Sequence, residues 1–180
     1  LRTGEEVQVT NIGKLCIGEE SNLVPNPRVL RVQQAFQKVG MPCEVPVDMV
    51  RTMWWKFMIN VGVNQAAAIM RVPFGVFQTE ADARAVMQSL MREVIALAQG
   101  KGINLQEHDL QDWDTILNAL SPQGKPSMLQ DIEAGRKTEV DIFAAKVVAF
   151  GRDCGISTPV NEMVLHIIKT IERHPLVANG

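Results

Sequence analysis

The chain of 180 residues lacks several features, and each absence narrows its function. No G-x-G-x-x-G is present: Gly13, Gly18 and the later glycines do not have the spacing of a turn that cradles a dinucleotide phosphate. The three cysteines, Cys16, Cys43 and Cys154, are odd in number, far apart and without a C-x-x-C, which fits a reducing compartment and makes the cytoplasm the expected location. Charge of one sign does not dominate. Eighteen basic against 20 acidic side chains leave a net charge of -2, and the basic ones are scattered, so nucleic acid has no stripe to follow. No apolar run approaches the roughly 20 residues of a membrane helix, and the first residues do not read as a secretory leader, so no membrane partner is expected. His108, His166 and His174 lack ligand spacing with cysteine or acidic residues, so no metal site is expected.

What is present reads as a folded protein, with 46% hydrophobic and 21% charged residues. Alternation in Val7-Gln8-Val9-Thr10 and Lys14-Leu15-Cys16-Ile17, joined through Asn11-Ile12-Gly13, suggests a hairpin. Pro25-Asn26-Pro27 precedes a helical pattern that Gly40 ends, and Pro42-Cys43-Glu44-Val45 reads as a short strand. From Val47 onward the pattern is almost wholly helical. A long helix is expected from about Asp48 to Arg71, stopping at Pro73-Phe74-Gly75. A second begins with Thr79 as its cap and Asp82 as acidic partner, and a third covers about Glu107 to Leu120. A short helix follows from Ser127 to Ala134, then two more, from about Thr138 to Cys154 and from Pro159 to Arg173. Trp113 and the nine methionines read as core or interface material. The first 45 residues hold too few strands to make a sheet domain alone. The expected class is therefore mainly α: an all-helical C-terminal domain after the last strands and helix of a truncated α/β domain.

Two stretches could carry chemistry. In Trp54-Trp55-Lys56-Phe57-Met58-Ile59-Asn60-Val61-Gly62-Val63-Asn64, positions four apart on a helix drift by only about 40° per step, so Lys56, Asn60 and Asn64 form one polar stripe. Asparagine is a poor helix former, and a surface stripe more usually carries Glu, Lys or Arg. A lysine beside two amides suits a carbonyl substrate, while an exposed face or internal hydrogen bonding explains the stripe equally well. The second stretch is KPSMLQDIEAGRKTEVD, residues 125–141. Ser127 could cap the short helix, with Gln130 or Asp131 completing the cap, at a position that also favours a carboxylate. Glu139 early in the next helix is favoured by the dipole whatever else it does. Two caps and a salt-bridged surface are the plain alternative.

These residues are similar to those of the ketopantoate reductase (2-dehydropantoate 2-reductase) family. The likeness runs through K-x3-N-x3-N (Lys56, Asn60, Asn64) and S-M-x-Q-D (Ser127, Met128, Gln130, Asp131). It continues in G-R-x-T-E-x-D (Gly135, Arg136, Thr138, Glu139, Asp141) and G-I-x-x-P-x-N (Gly155, Ile156, Pro159, Asn161). The resemblance implies a Rossmann domain binding NADPH, followed by a helical domain, with a small 2-oxo acid in the cleft between them. Residues 1–45 would be the C-terminal remnant of the NADP-binding domain, and 46–180 the helical substrate-binding and dimerisation domain. Lys56 would be the general acid. Asn60 and Asn64 would place substrate and cofactor, Ser127 the substrate carboxylate, and Glu139 its hydroxyl end. Two departures stand out. Phe74 occupies the substrate-site position where the family tends to have Asn, in Pro-Asn-Gly, and Ala144-Ala145 stand where it commonly has Asn-Gly. The same hydride chemistry on a more apolar 2-oxo acid fits these departures, and a helical dimerisation or binding module without catalysis is the reading from another class. The long, methionine-rich helices leave room for a homodimer, and the chain by itself is expected to be inactive or nearly so.

Overall fold

Asn26 and Pro27 start the first helix as the sequence leads one to expect. The Asn26 side chain accepts the Arg28 N–H at 2.9 Å, and Pro27 supplies a preset φ where no N–H is needed. Helix α1 (Pro27–Lys38) ends at Val39, and Gly40 turns the chain with φ of 74°. The computed structural model describes residues 2–3, 6–7 and 13–174. The chain divides into two compact units, Leu1–Met53 and Trp54–Gly180.

In the first unit, strand β1 (Arg2–Thr3) pairs antiparallel with β2 (Glu6–Val7), and β3 (Leu15–Cys16) pairs parallel with β4 (Cys43–Glu44). The expected hairpin of 7–10 with 14–17 falls partly outside the described residues. Within them, Val7 is opposite Arg2, and Leu15–Cys16 takes its partner from across α1. Parallel strands need a crossover, and α1 provides it, making a β–α–β unit. Asn22, nearly fully buried, ties the unit together: its amide donates to the Glu19 and Pro46 carbonyls, and its Oδ1 accepts the Glu19 N–H.

The stretch expected as one long helix is helical throughout but changes its winding. Helix α2 (Met49–Ile59), inside which the boundary between the units falls, runs into a π-helical turn, Asn60–Asn64, and then α3 (Gln65–Met70). The wider turn frees backbone carbonyls, and the buried Gln65 amide donates to the Val61 carbonyl at 2.8 Å. A Cβ on Gly62 would come within 2.4 Å of Met91 Cγ and Cε, so this turn can lie against its neighbour only with glycine there. Arg71, left-handed at φ of 58°, ends α3 two residues before Pro73.

Helix α4 (Phe74–Thr79) is not foreseen from the sequence, and it displaces Thr79 from its expected role. Thr79 closes α4 and its hydroxyl donates back to the Gly75 carbonyl, while Glu80 precedes α5 (Ala81–Gly100) without a side-chain cap. Arg84 of α5 instead donates to the Phe77 and Gln78 carbonyls at the end of α4. Helix α5 is the central rod of the second unit. Met87, Leu90, Met91, Val94 and Leu97 are fully buried on it, each contributing about 1.5–3 kcal/mol relative to exposure. It packs against the π turn and α4, and against α8 (Ala144–Cys154) and α9 (Pro159–Arg173).

Helix α6 (His108–Ala119) lies where expected, and α7 (Ser127–Glu133) packs on α3. The helix expected from Thr138 starts only at Ala144. Thr138 gives both its N–H and its hydroxyl to Glu172 of α9, each at 2.7 Å, and its Oγ1 accepts the Val140 N–H. The Val140 bond is a local turn that competes with helix, and the Glu172 bonds, from 34 residues away, hold it in place. Nearby, Asp141 is 2.7 Å from the Lys169 ammonium, whose hydrogen bond, helped by Lys137, holds the Asp141 carboxyl below its ordinary range. Helix α9 begins at Pro159, and Glu93 of α5 caps it by accepting the Val160 and Asn161 N–H groups. Among the described residues no helix is long and apolar enough to cross a membrane.

Candidate active site

One open cleft of about 430 Å³ in the second unit collects most of the residues singled out in the sequence. The rod formed by α2, the π turn and α3 contributes Lys56, Ile59, Asn60, Val63 and Asn64. The start of α4 contributes Phe74, α6 and its end contribute Trp113, Ile116 and Leu120, and the loop into α7 contributes Lys125, Pro126 and Ser127. A four-residue step overruns a full α-turn, whereas the wider π turn rotates less per residue. The change of winding at Asn60 therefore offsets the drift and keeps the three polar residues near one line.

Each polar group has its own setting. Lys56 is exposed and has no ion pair or hydrogen bond among the described residues. Lys125 is neutralised by Glu133, with both carboxylate oxygens within 2.9 Å. Asn64 is 7% exposed, and its Oδ1 accepts the Ser127 hydroxyl at 3.1 Å and the Met128 N–H at 3.3 Å. The expected cap is thereby corrected: Pro126 holds the N-cap position, Ser127 is already the first helical residue, and Asn64 from a distant helix serves the free N–H of α7. Gln130 donates to the Lys125 carbonyl, and Asp131 pairs with Arg136, so neither completes a cap.

Glu139 is not brought to the cleft. It is exposed in the turns that precede α8, so the dipole argument for it lapses with the later helix start. Ala144 is fully buried as the first residue of that helix. His108 does have acidic neighbours, contrary to expectation: positions i, i+1 and i+4 at the start of α6 put ligand atoms of His108, Asp109 and Asp112 within 4.8 Å of one another. Asp109 is fully buried, and its Oδ2 accepts the Gln106 N–H, which commits it to the helix start.

The apolar wall is not foreseen from the sequence. Trp113, Ile116 and Leu120 recur at helical spacing, which was the only signal in the sequence, and it does not tell a cleft wall from core; the structure leaves Ile116 43% exposed. Asn161 of the last motif also takes a place that spacing does not reveal. Fully buried, it donates to Glu93 and to the Leu90 carbonyl and accepts from Gln65, joining α3, α5 and α9.

Residues 48–172 match the family model for the C-terminal domain of ketopantoate reductase PanE/ApbA. The chain belongs to this family. Among its relatives, the 2-dehydropantoate 2-reductase of Halobacterium salinarum is 28% identical over 146 residues, which are 81% of this chain and 48% of that protein. A dimeric ketopantoate reductase from Staphylococcus aureus has a similar fold, with a TM-score of 0.74 at 18% identity over 89% of this chain and 54% of that one. So does a D-mandelate dehydrogenase in a ternary structure with NADH and anilino(oxo)acetate, with a TM-score of 0.72 at 18% identity over 86% and 66%. The chain spans about half the length of the curated relatives it matches. Fold class and family agree with the motif-based expectation, the cleft lying in the region that the family model matches.

Proposed function

We propose that the protein carrying this chain reduces a 2-oxo acid to the 2-hydroxy acid with NADPH, ketopantoate to pantoate being the reaction to which family membership points. The observation that carries the reading is Lys56, a cation without an acidic partner among the described residues, on the same cleft as Asn60, Asn64 and Ser127. A reduced nicotinamide, when bound, supplies the hydride that C2 accepts. The carbonyl oxygen gains the electron pair, and Lys56 gives it a proton, so that C=O becomes CH–OH. Asn60 offers an uncharged amide beside Lys56 to the substrate or to the cofactor. Ser127 offers its hydroxyl to the substrate carboxylate, and Asn64, which holds that hydroxyl in the free protein, sets its position. Glu139, away from the cleft, is assigned no step.

The parallel β3–α1–β4 unit supports reading residues 1–45 as the end of a dinucleotide-binding sheet, and the cleft supports reading 46–180 as the substrate-binding domain, which by the family resemblance also dimerises. These residues include no phosphate-cradling glycine turn, and the family resemblance makes Asn60 the candidate within this chain to meet a nicotinamide. Met163 and Ile167, exposed one turn apart on α9, suit a homodimer. A second reading, the same chemistry on a more apolar 2-oxo acid, is favoured by Phe74 on the cleft wall.

The test is Lys56→Ala in the full-length protein. Turnover should fall by about 10²–10⁴-fold, the usual share of a general acid, with the melting temperature unchanged. A loss of less than a few-fold would remove Lys56 from the proton transfer, and absence of turnover in the unmodified protein would support a non-catalytic helical module.

A further inference from the structure

The residues that line the cleft are of two kinds. Lys56, Asn60 and Ser127 present polar groups, whereas Phe74, Trp113, Ile116 and Leu120 present carbon. Phe74 is held closely at the start of its helix. Its N–H donates to the Gly124 carbonyl at 2.9 Å, and the next N–H, of Gly75, donates to the Pro122 carbonyl at 2.8 Å. A Cβ on Gly124 would come within 2.9 Å of Phe74 Cδ2 and 3.0 Å of the Ser121 carbonyl oxygen. A Cβ on Gly75 would meet Pro122 at 2.9 Å from its Cβ and 3.0 Å from its carbonyl oxygen. Neither glycine has the positive φ that would call for glycine on conformational grounds. What they provide is space, and at Gly124 the space is filled by the Phe74 ring.

We infer that Phe74, seated by Gly124, forms with Trp113, Ile116 and Leu120 a side-chain subsite that selects 2-oxo acids bearing an apolar branched or aromatic group over those bearing a hydroxyl. The inference rests on the second reading above, reduction of a more apolar 2-oxo acid in place of ketopantoate, and gives it a substrate class. A hydroxyl turned toward this wall meets no hydrogen-bonding side chain among Phe74, Ile116 and Leu120, and the Trp113 N–H is engaged by Met87 Sδ at 3.4 Å. An apolar wall rejects an added hydroxyl only modestly, by up to about 10²-fold. Gly124 is a positioning residue here: it acts on the substrate through the Phe74 ring.

The experiment compares kcat/KM of the full-length enzyme with NADPH for ketopantoate and for 3,3-dimethyl-2-oxobutanoate, which differ only by the hydroxyl, and for 2-oxo-2-phenylacetate. The hydroxyl-free acid should be preferred by about 10-fold or more, within the range an apolar pocket can supply. Phe74→Asn should reverse or abolish that preference by returning an amide to the wall. Gly124→Ala should drive the ring into the cleft and raise KM for the phenyl substrate more than for the dimethyl one. Phe74→Leu in the Gly124→Ala background should restore the phenyl substrate's KM, which a merely structural role for Gly124 would not do. Preference for ketopantoate in the unmodified enzyme, or equal effects of Phe74→Asn on both members of the pair, would overturn the subsite while leaving the reductase intact. Absence of turnover with all three acids would overturn both.

Discussion

Asn64 holds two donors at once, the Ser127 hydroxyl and the Met128 N–H, and it does so from a nearly buried position. Replacing it with Leu keeps the bulk but removes the acceptor, leaving both groups without their partner. The buried Met128 N–H carries most of the loss, about 1–3 kcal/mol, while the exposed Ser127 hydroxyl can turn to water and adds less. Asn64→Leu should lower the denaturant midpoint accordingly, and in a Ser127→Ala background the cost should shrink, because one of the two orphaned donors is already gone. Equal costs in the two backgrounds would mean that the hydroxyl bond contributes nothing. The example also shows how far single residues were legible. Lys56, Asn60 and Asn64 could be grouped because one helix carries all three at a spacing that helical geometry fixes. The partner of Asn64 could not be found that way: it lies on another helix, and nothing in the local pattern of either distinguishes a cap supplied from afar from one supplied by Ser127 itself. The position of Glu139 outside the cleft was hidden in the same way, since the turn it lies in is fixed by the bonds of Thr138 to Glu172 on a distant helix.

Among the elements, the π turn has the most specific requirement. Gly62 lies against Met91, and an added methyl would overlap the Cγ as well as the flexible Cε, so moving the end of the methionine does not relieve the clash. Gly62→Ala should therefore destabilise the protein by about 1–3 kcal/mol, as expected for overpacking a close-packed core. Unfolding by urea would measure it, and the penalty should be smaller when introduced into Met91→Ala, where the methyl has room. A penalty independent of residue 91 would place the strain in the turn itself. Helix α9 was readable to the residue from Pro159, since its start signal is local. The change from α to π winding was not, because a glycine and two asparagines merely weaken an α-helix in sequence terms. What selects the wider turn is the fit against α5 together with the Gln65 amide on the Val61 carbonyl.

At the scale of the molecule, the two units differ in how much core they hold. The second has a closed apolar core running through α3, α5, α6, α7, α8 and α9, and its helices were largely legible from caps and apolar spacing. Among the described residues the first has a pair of two-stranded sheets, each too small to be stable by itself, and its parallel β3–β4 pairing was hidden because the strands are separated by a whole helix. If that unit is the end of a dinucleotide-binding sheet, most of the groups that hold the cofactor lie outside these 180 residues. Thermal unfolding with added NADPH tests this. The chain on its own should show no saturable rise in melting temperature, whereas the full-length protein should gain about 2.7 kcal/mol when the cofactor is at a hundred times its Kd. Omitting the 2′-phosphate by using NADH should weaken the gain in the full-length protein if the phosphate is recognised. Saturable stabilisation of the chain alone would move the cofactor site into the helical unit, and Asn60→Ala would then be the variant to examine, since it lies beside Lys56 on the same cleft.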